Sequence, residues 1–285
     1  MLPKYLSLID LWGGMNPQGL KGVFVVFRAY SDESYDKNLK LLCVSSIIGD
    51  GAQWLRLVRD WKSCLDRVNS RLDKQGRHQI SRYHAADCSA RKGEFDGWSK
   101  DEQRDFVCEL FEIMRASHLH AVSLTVDLKR LRELYPTSQC ERLAHCFLLL
   151  PLLHKTGEEA QKMHPSRRIS FFHDRTAYDH VLSQMFWGIK DHPKSKYGSR
   201  FVTIAPLAWS DCIALQPADL FAYEGQKEME RRLHSDRPIP RKSFTLLRGS
   251  FPRVPWIHAH MGPKQLAIIE KKISVEMESV MEEGT

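Results

Sequence analysis

The apolar run Val23 to Phe27 leads to Tyr30 and Asp32, and Leu41 to Ile48 forms a second run. The short polar link between them leaves no room for a helical crossover, so the pair predicts an antiparallel hairpin. After Gly49-Asp50-Gly51 the period changes. Trp54, Val58, Trp61, Leu65 and Val68 fall at steps of four, three, four and three, one face of a helix that should pack on the sheet. Phe106, Val107, Leu110, Phe111 and Met114 mark another helix, and strand-like Ala121 to Asp127 follows it. Cys140 to Leu150 reads as a strongly apolar helix ending near Pro151, with polar Gln161 to Arg168 as a loop. Ile169 to His173 is a compact strand that stops at Asp174, and Val181, Leu182, Met185, Phe186 and Ile189 repeat the helical face. Phe201 to Ala205 predicts a further strand. A helix then starts around Pro217, whose fixed φ suits a first helical position, and runs to Leu233. A basic, proline-rich connection leads to a last amphipathic helix near Lys264 to Met281. Strands alternating with helices in this way predict a layered α/β domain, and no internal repeat suggests a solenoid.

Composition narrows the class. With 285 residues, 42% hydrophobic and 27% charged, the chain has the balance of a globular protein that can bury a full core. Its longest apolar stretch, Phe147 to Leu153, is far short of the roughly 18 to 20 residues of a membrane span, and no basic segment precedes an apolar signal core. Neither secretion nor membrane insertion is expected. The seven cysteines are scattered without a CxxC pair or a zinc pattern, as reduced thiols of a cytoplasmic protein would be. Forty-two Lys and Arg against 35 Asp and Glu give a net charge of +7, which favours a polyanionic partner such as nucleic acid. No P-loop, dinucleotide fingerprint or GxSxG elbow is present, so the usual signs of nucleoside triphosphate, NAD and serine-hydrolase chemistry are missing.

The local chemistry lies in acids at the ends of elements, where ligand crevices form in open α/β sheets. Asp32-Glu33-Ser34 closes the first strand, His173-Asp174-Arg175 closes a later one, and Asp219 lies one turn into the helix opening at Leu215-Gln216-Pro217-Ala218; Asp127 is a further strand-end acid. If the strands are neighbours, three acids converge. Converging carboxylates repel one another, and a divalent cation such as Mg²⁺ or Mn²⁺ is the natural neutraliser of such an oxygen cluster. Each acid also has an ordinary explanation. Asp219 in a first turn complements the helix dipole, and Asp32 or Asp174 can cap the next element or hold an Asx turn. His84, in Ser81-Arg82-Tyr83-His84-Ala85-Ala86-Asp87, has the chemistry to bind metal, contact phosphate or move a proton, or it is structural like most of the 13 histidines. Glu33 is either a fourth ligand or a turn residue. From Arg231 to Arg253, seven basic residues face one acid, Asp236, with Phe244 and Phe251 interleaved; this fits a strand-tracking groove or a solvated loop whose aromatics pack on the core.

Four segments together resemble the bacterial domain of unknown function 3800 family, which is similar to ribonuclease H in predicted fold. They are Ala29-Tyr30-Ser31-Asp32-Glu33-Ser34, His84-Ala85-Ala86-Asp87, Phe171-Phe172-His173-Asp174-Arg175, and Leu215-Gln216-Pro217-Ala218-Asp219-Leu220-Phe221-Ala222-Tyr223. This chain has Tyr35 where the family commonly continues with glycine. The resemblance implies an α/β domain over 23–233 built on a ribonuclease H-like mixed β-sheet flanked by helices. The segment 1–22 would be a leader, and 234–285 a basic, proline-rich C-terminal extension with a helix. It implies Asp32, Asp174 and Asp219 as metal-binding acids, Glu33 and His84 as companions, and Gln216 orienting the last acid. The expected activity is that of an Mg²⁺- or Mn²⁺-dependent phosphodiesterase or nuclease acting on nucleic acid. The alternatives are a non-catalytic nucleic-acid or protein-binding module on the same scaffold and a hydrolase of a small phosphorylated molecule.

Overall fold

The computed structural model describes residues 26–36, 40–136, 140–234, 239–249, 256–262 and 264–265. The chain runs through β1 (Phe27–Tyr35), β2 (Leu41–Gly49), α1 (Gly51–Lys74), α2 (Ala85–Ala90), α3 (Lys100–Ser117), β3 (His120–Asp127), α4 (Leu128–Leu134) and α5 (Cys140–Met163). It continues through β4 (Ile169–Asp174), α6 (Asp179–Asp191), β5 (Phe201–Leu207), α7 (Gln216–His234), α8 (Lys242–Gly249) and β6 (Trp256–Met261). The six strands form one mixed sheet in the order β5-β4-β1-β2-β3-β6, flanked by helices. β1, β2 and β3 are antiparallel neighbours, whereas β4 pairs parallel with β1 and β5, and β6 pairs parallel with β3. No described helix is long and apolar enough to cross a membrane.

Alternation along the strands splits the core in two. Tyr30 and Ile47 face a layer that contains Trp54 and Trp61 of α1, Phe106 and Leu110 of α3 and Phe221 of α7. Phe27, Ala29, Val44 and Val122 face the opposite layer, with Phe147, Leu148 and Leu152 of α5 and Leu182 and Phe186 of α6. Reciprocal capping boxes open two of the helices: Asp50 with Gln53 at α1, and Ser99 with Glu102 at α3. α7 is buried along most of its length, although it carries Gln216, Asp219, Glu224, Gln226 and Glu228. It approaches the sheet closely at Gly225, where an added Cβ would stand 2.9 Å from Cys43 Sγ. Several of its polar groups have partners: Glu224 takes a hydrogen bond from Ser243, and Glu228 pairs with Arg231 and Arg232.

Three boundaries differ from the sequence expectation. β1 runs on to Tyr35, so Asp32 and Glu33 lie inside the strand, opposite Ser45 and Val44, because pairing with β2 continues past them. Val23 to Val25 lie outside the described residues. α5 passes through Pro151 to Met163 where the sequence predicted a helix end and a loop. A proline inside a helix costs about 3 kcal/mol. Leu148, Leu149, Leu152, Leu153 and Ala160 are buried on both sides of it, at roughly 1.5–3 kcal/mol for each large side chain, which outweighs that cost. The third difference lies after α7. The basic stretch contains a helix, α8, whose Phe244 and Leu247 are buried, and β6 extends the sheet at β3 with Trp256 donating its indole N–H to Ser123 Oγ at 2.8 Å. This part of the chain is therefore not an appendage, and at Phe244 the aromatic packs on the core. Phe251, Arg253 and most of the expected Lys264 to Met281 helix lie outside the described residues.

Candidate metal centre

β1 and β4 lie side by side and parallel, with Ser31 opposite His173, so Asp32 and Asp174 follow as neighbours at the carboxyl ends of two strands. Asp32 shares the parity of Tyr30, and Asp174 that of Phe172; the Tyr30 and Phe172 rings stack with centroids 5.1 Å apart on the α7 side of the sheet. The first turn of α7 brings Asp219 to the same side. Asp32 keeps part of its surface open to solvent while sitting deep among protein atoms, as it would in the floor of a recess.

Electrostatics registers the meeting of the three acids. Burial pushes the Asp32 carboxyl well above its usual range, and the charges of Asp219, Glu33 and Asp174 push it further. Burial also raises Asp219, to about 6, against the pull of His84, the Ala85 N–H and Arg82. Asp174 is raised by burial as well, and is partly offset by backbone hydrogen bonds from Arg175 and Trp209 and by the charge of Arg82. Each acid is anchored yet incompletely used. Asp32 Oδ1 accepts from Glu33 N at 2.7 Å, Asp219 Oδ2 accepts from Ala85 N at 2.7 Å, and Asp174 Oδ1 is buried without a hydrogen-bond partner among the described residues.

Gln216 does not act on Asp219 directly. Its Oε1 accepts from Trp61 Nε1 at 2.9 Å and from Tyr83 N at 3.0 Å, while Asp219, one turn on, takes the Ala85 N–H. Together they clamp residues 83–85 and fix His84, the residue before α2, beside the acids. His84 Nδ1 lies 2.7 Å from Asp87 Oδ2. When that contact is a donated Nδ1–H, Nε2 is left with its lone pair. Asp127, the other strand-end acid, caps α4 by accepting from Arg130 N at 2.9 Å and has an ordinary structural role.

Alternation sends Glu33 the other way. It lines a cleft on the α5 side of the sheet with Ser31, His145, His173 and Thr176. Burial, then Asp174, Asp179 and Asp219, raise its carboxyl to about 8. His145 is held down to about 4 by burial and by His173, and its Nε2 is hydrogen-bonded to the Tyr35 hydroxyl. Tyr35 thus reaches into this second cluster. Glu33 stands on the opposite face of the sheet from Asp32 and adds to the repulsion among the three acids only when it is ionised.

Two residues at the site went unmarked in the sequence. Arg82 places its guanidinium carbon 3.5 Å from the centroid of the Trp209 ring, and its charge reaches both Asp174 and Asp219. Arg82 does stand in the segment containing His84, but no spacing rule connects it with Trp209.

Among the described residues, no group of three or more His, Cys, Asp or Glu side chains is arranged as a ready-made metal cage. The donor chemistry nevertheless suits a hard cation: three carboxylates, one with an unpartnered buried oxygen, carry mutual repulsion that a cation would relieve. Mg²⁺ in particular is commonly held by one or two carboxylates and keeps several waters. Comparison with protein-family models, curated proteins and solved structures finds no match to this chain.

Proposed function

We propose that the chain is a divalent-metal-dependent phosphodiesterase that cleaves nucleic acid, on a ribonuclease H-like scaffold related to the domain of unknown function 3800 family. The observation that carries this reading is the convergence of Asp32, Asp174 and Asp219 from two parallel strands and a helix, with all three carboxyls raised. A sheet antiparallel across β1, β2 and β3 and parallel across β1, β4 and β5 supports the ribonuclease H-like part of it.

In this reading Asp32, Asp174 and Asp219 hold Mg²⁺ or Mn²⁺, which supplies Lewis acidity toward a phosphodiester and lowers the pKa of water. The protein's own groups do the positioning. Glu33 N fixes the Asp32 carboxylate, the Ala85 N–H fixes Asp219, and Gln216 holds the backbone that carries His84. His84 Nε2 faces substrate as a phosphate contact or proton carrier, with Asp87 setting the tautomer. Glu33, on the far side of the sheet, acts on the acids only through charge, in its ionised form.

The test is titration of Mn²⁺ into metal-free wild type and Asp32→Asn/Asp219→Asn, with folding checked by circular dichroism. Saturable binding lost in the folded variant is the expected result. Equal binding in both proteins would remove the site. A non-catalytic nucleic-acid-binding module on the same scaffold is the alternative, and it would bind nucleic acid without cleaving it in saturating Mn²⁺.

A further inference from the structure

Trp209 is a large aromatic left 42% exposed in the turn after β5, and it belongs to neither buried core cluster. Arg82 lies over one of its ring faces, 3.5 Å from the centroid. Among the described residues Arg82 makes no salt bridge, although its charge is felt by Asp174 and Asp219. A cation kept beside acids without pairing to them retains its hydrogen-bonding edge for another anion.

Both members of the pair are fastened to the acids. The Trp209 main chain lies close enough to the Asp174 carboxyl to help hold its pKa down, and the residues following Arg82 are held at Tyr83 by Gln216 and at Ala85 by Asp219. An indole with open surface and a guanidinium stacked on it but without a salt bridge therefore stand beside the carboxylate recess.

We propose that Arg82 and Trp209 form a binding ledge for single-stranded nucleic acid, with an unpaired base stacked on the open part of the Trp209 ring and Arg82 on the adjoining phosphate. The substrate class rests on the phosphodiesterase reading above, whereas the ledge itself needs no metal. A duplex keeps its bases stacked inside and offers the indole no free face, which is why the occupant is single-stranded.

The measurement is fluorescence anisotropy of an unstructured fluorescein-labelled DNA or RNA oligonucleotide, and of a duplex of equal length, with full-length protein in EDTA. Wild type should bind the single strand more tightly than the duplex. Trp209→Ala should weaken that binding roughly tenfold, within the roughly 5- to 150-fold that stacking one base is worth, while Trp209→Phe keeps most of it. Arg82→Ala should also weaken it and reduce the dependence of log K on log salt by about 0.7, one phosphate contact on a single strand. Circular dichroism of each variant, and the Phe variant in particular, separate lost folding from lost stacking. Wild-type affinity unchanged in folded Trp209→Ala and Arg82→Ala, stronger binding of the duplex, or no binding of the single strand by wild type would each overturn the ledge. If Asp32→Asn/Asp219→Asn binds Mn²⁺ as wild type does while the Trp209 and Arg82 losses remain, the ledge stands and the phosphodiesterase reading falls.

Discussion

At the carboxyl ends of β1 and β4 the two faces of the sheet hold similar residues in opposite circumstances. On the α7 side, Asp32, Asp174 and Asp219 gather with Arg82 and His84 nearby. On the α5 side, Glu33 lies among His145, His173 and the Tyr35 hydroxyl in a cleft walled by leucines, with Asp179 beside His173 at 3.7 Å. The first group repels itself and gains from a cation. The second lowers its cost by staying neutral, with Glu33 raised to about 8 and His145 lowered to about 4. Neighbouring positions on one strand thus differ in chemistry because alternation turns them toward different layers.

The sharpest way to break this contrast is to exchange one charge on each face. Asp32→Asn/Asp219→Asn should abolish Mn²⁺ binding and lower nucleic-acid cleavage by about 100-fold or more, the scale of several kcal/mol of lost electrostatic stabilisation. Glu33→Gln should keep Mn²⁺ binding within about tenfold of wild type. Loss of binding in Glu33→Gln equal to that of the double variant would show that the two faces form one site.

Gln216→Ala comes next. It leaves the buried Trp61 Nε1–H and the Tyr83 N–H without their acceptor, at about 1–3 kcal/mol each, so denaturant titration should show a loss of a few kcal/mol. Mn²⁺ affinity should fall with it only to the extent that Asp219 depends on the clamped segment. A stability unchanged from wild type would show that the clamp carries no strain-bearing contact.

The pH dependence follows from the raised carboxyls. A carboxyl raised in the folded state binds its proton more tightly there than in the unfolded chain, so stability falls as pH rises from the unfolded value toward the folded one. Between about pH 4 and 6.5 the lowered His145 and His258 act in the opposite sense, because the unfolded chain then takes up more protons at those positions. From pH 6.5 to 8 the histidines no longer contribute, and metal-free protein should lose stability through Glu33, raised to about 8. Denaturant melts across that interval should show the fall, Glu33→Gln should make it shallower, and saturating Mn²⁺ should raise Tm more at pH 8 than at pH 6.5. A flat profile would mean that these carboxyls are already neutralised.

The smallest effect belongs to Tyr35→Phe. It removes the hydroxyl partner of His145 Nε2 and should cost about 1 kcal/mol in denaturant titration, with Mn²⁺ affinity unchanged. A change in metal affinity here would be a sign of coupling between the faces.

Much of the fold was legible because long elements carry their period on the surface of the sequence. Trp54 to Val68 and Phe106 to Met114 mark their helices by spacing alone, and the hairpin follows from a link too short for a crossover. Pro151 misled because a local penalty is visible in sequence while the tertiary burial of Leu152, Leu153 and Ala160 is not. β6 was hidden behind basic residues and prolines, since Trp256 to Met261 becomes a strand by pairing with a partner 135 positions earlier at Trp256 and Ala121. For the candidate site, position at the ends of elements pointed to Asp32, Asp174 and Asp219, whose charges act on one another in the structure. The face on which Glu33 lies follows from pairing with β2 that continues to Tyr35, and that pairing has no local signal. The Arg82 and Trp209 contact joins two loops far apart in the chain, and nothing local announces it.

The clamp on residues 83–85 also sets an order of assembly during synthesis. Asp32 and Asp174 are made early enough to meet when β1 and β4 pair, but Gln216 and Asp219 reach the His84 segment only after α7 has left the ribosome. A nascent chain that ends at β5 therefore owns two of the acids and lacks both the third acid and the groups that hold the His84 segment in place.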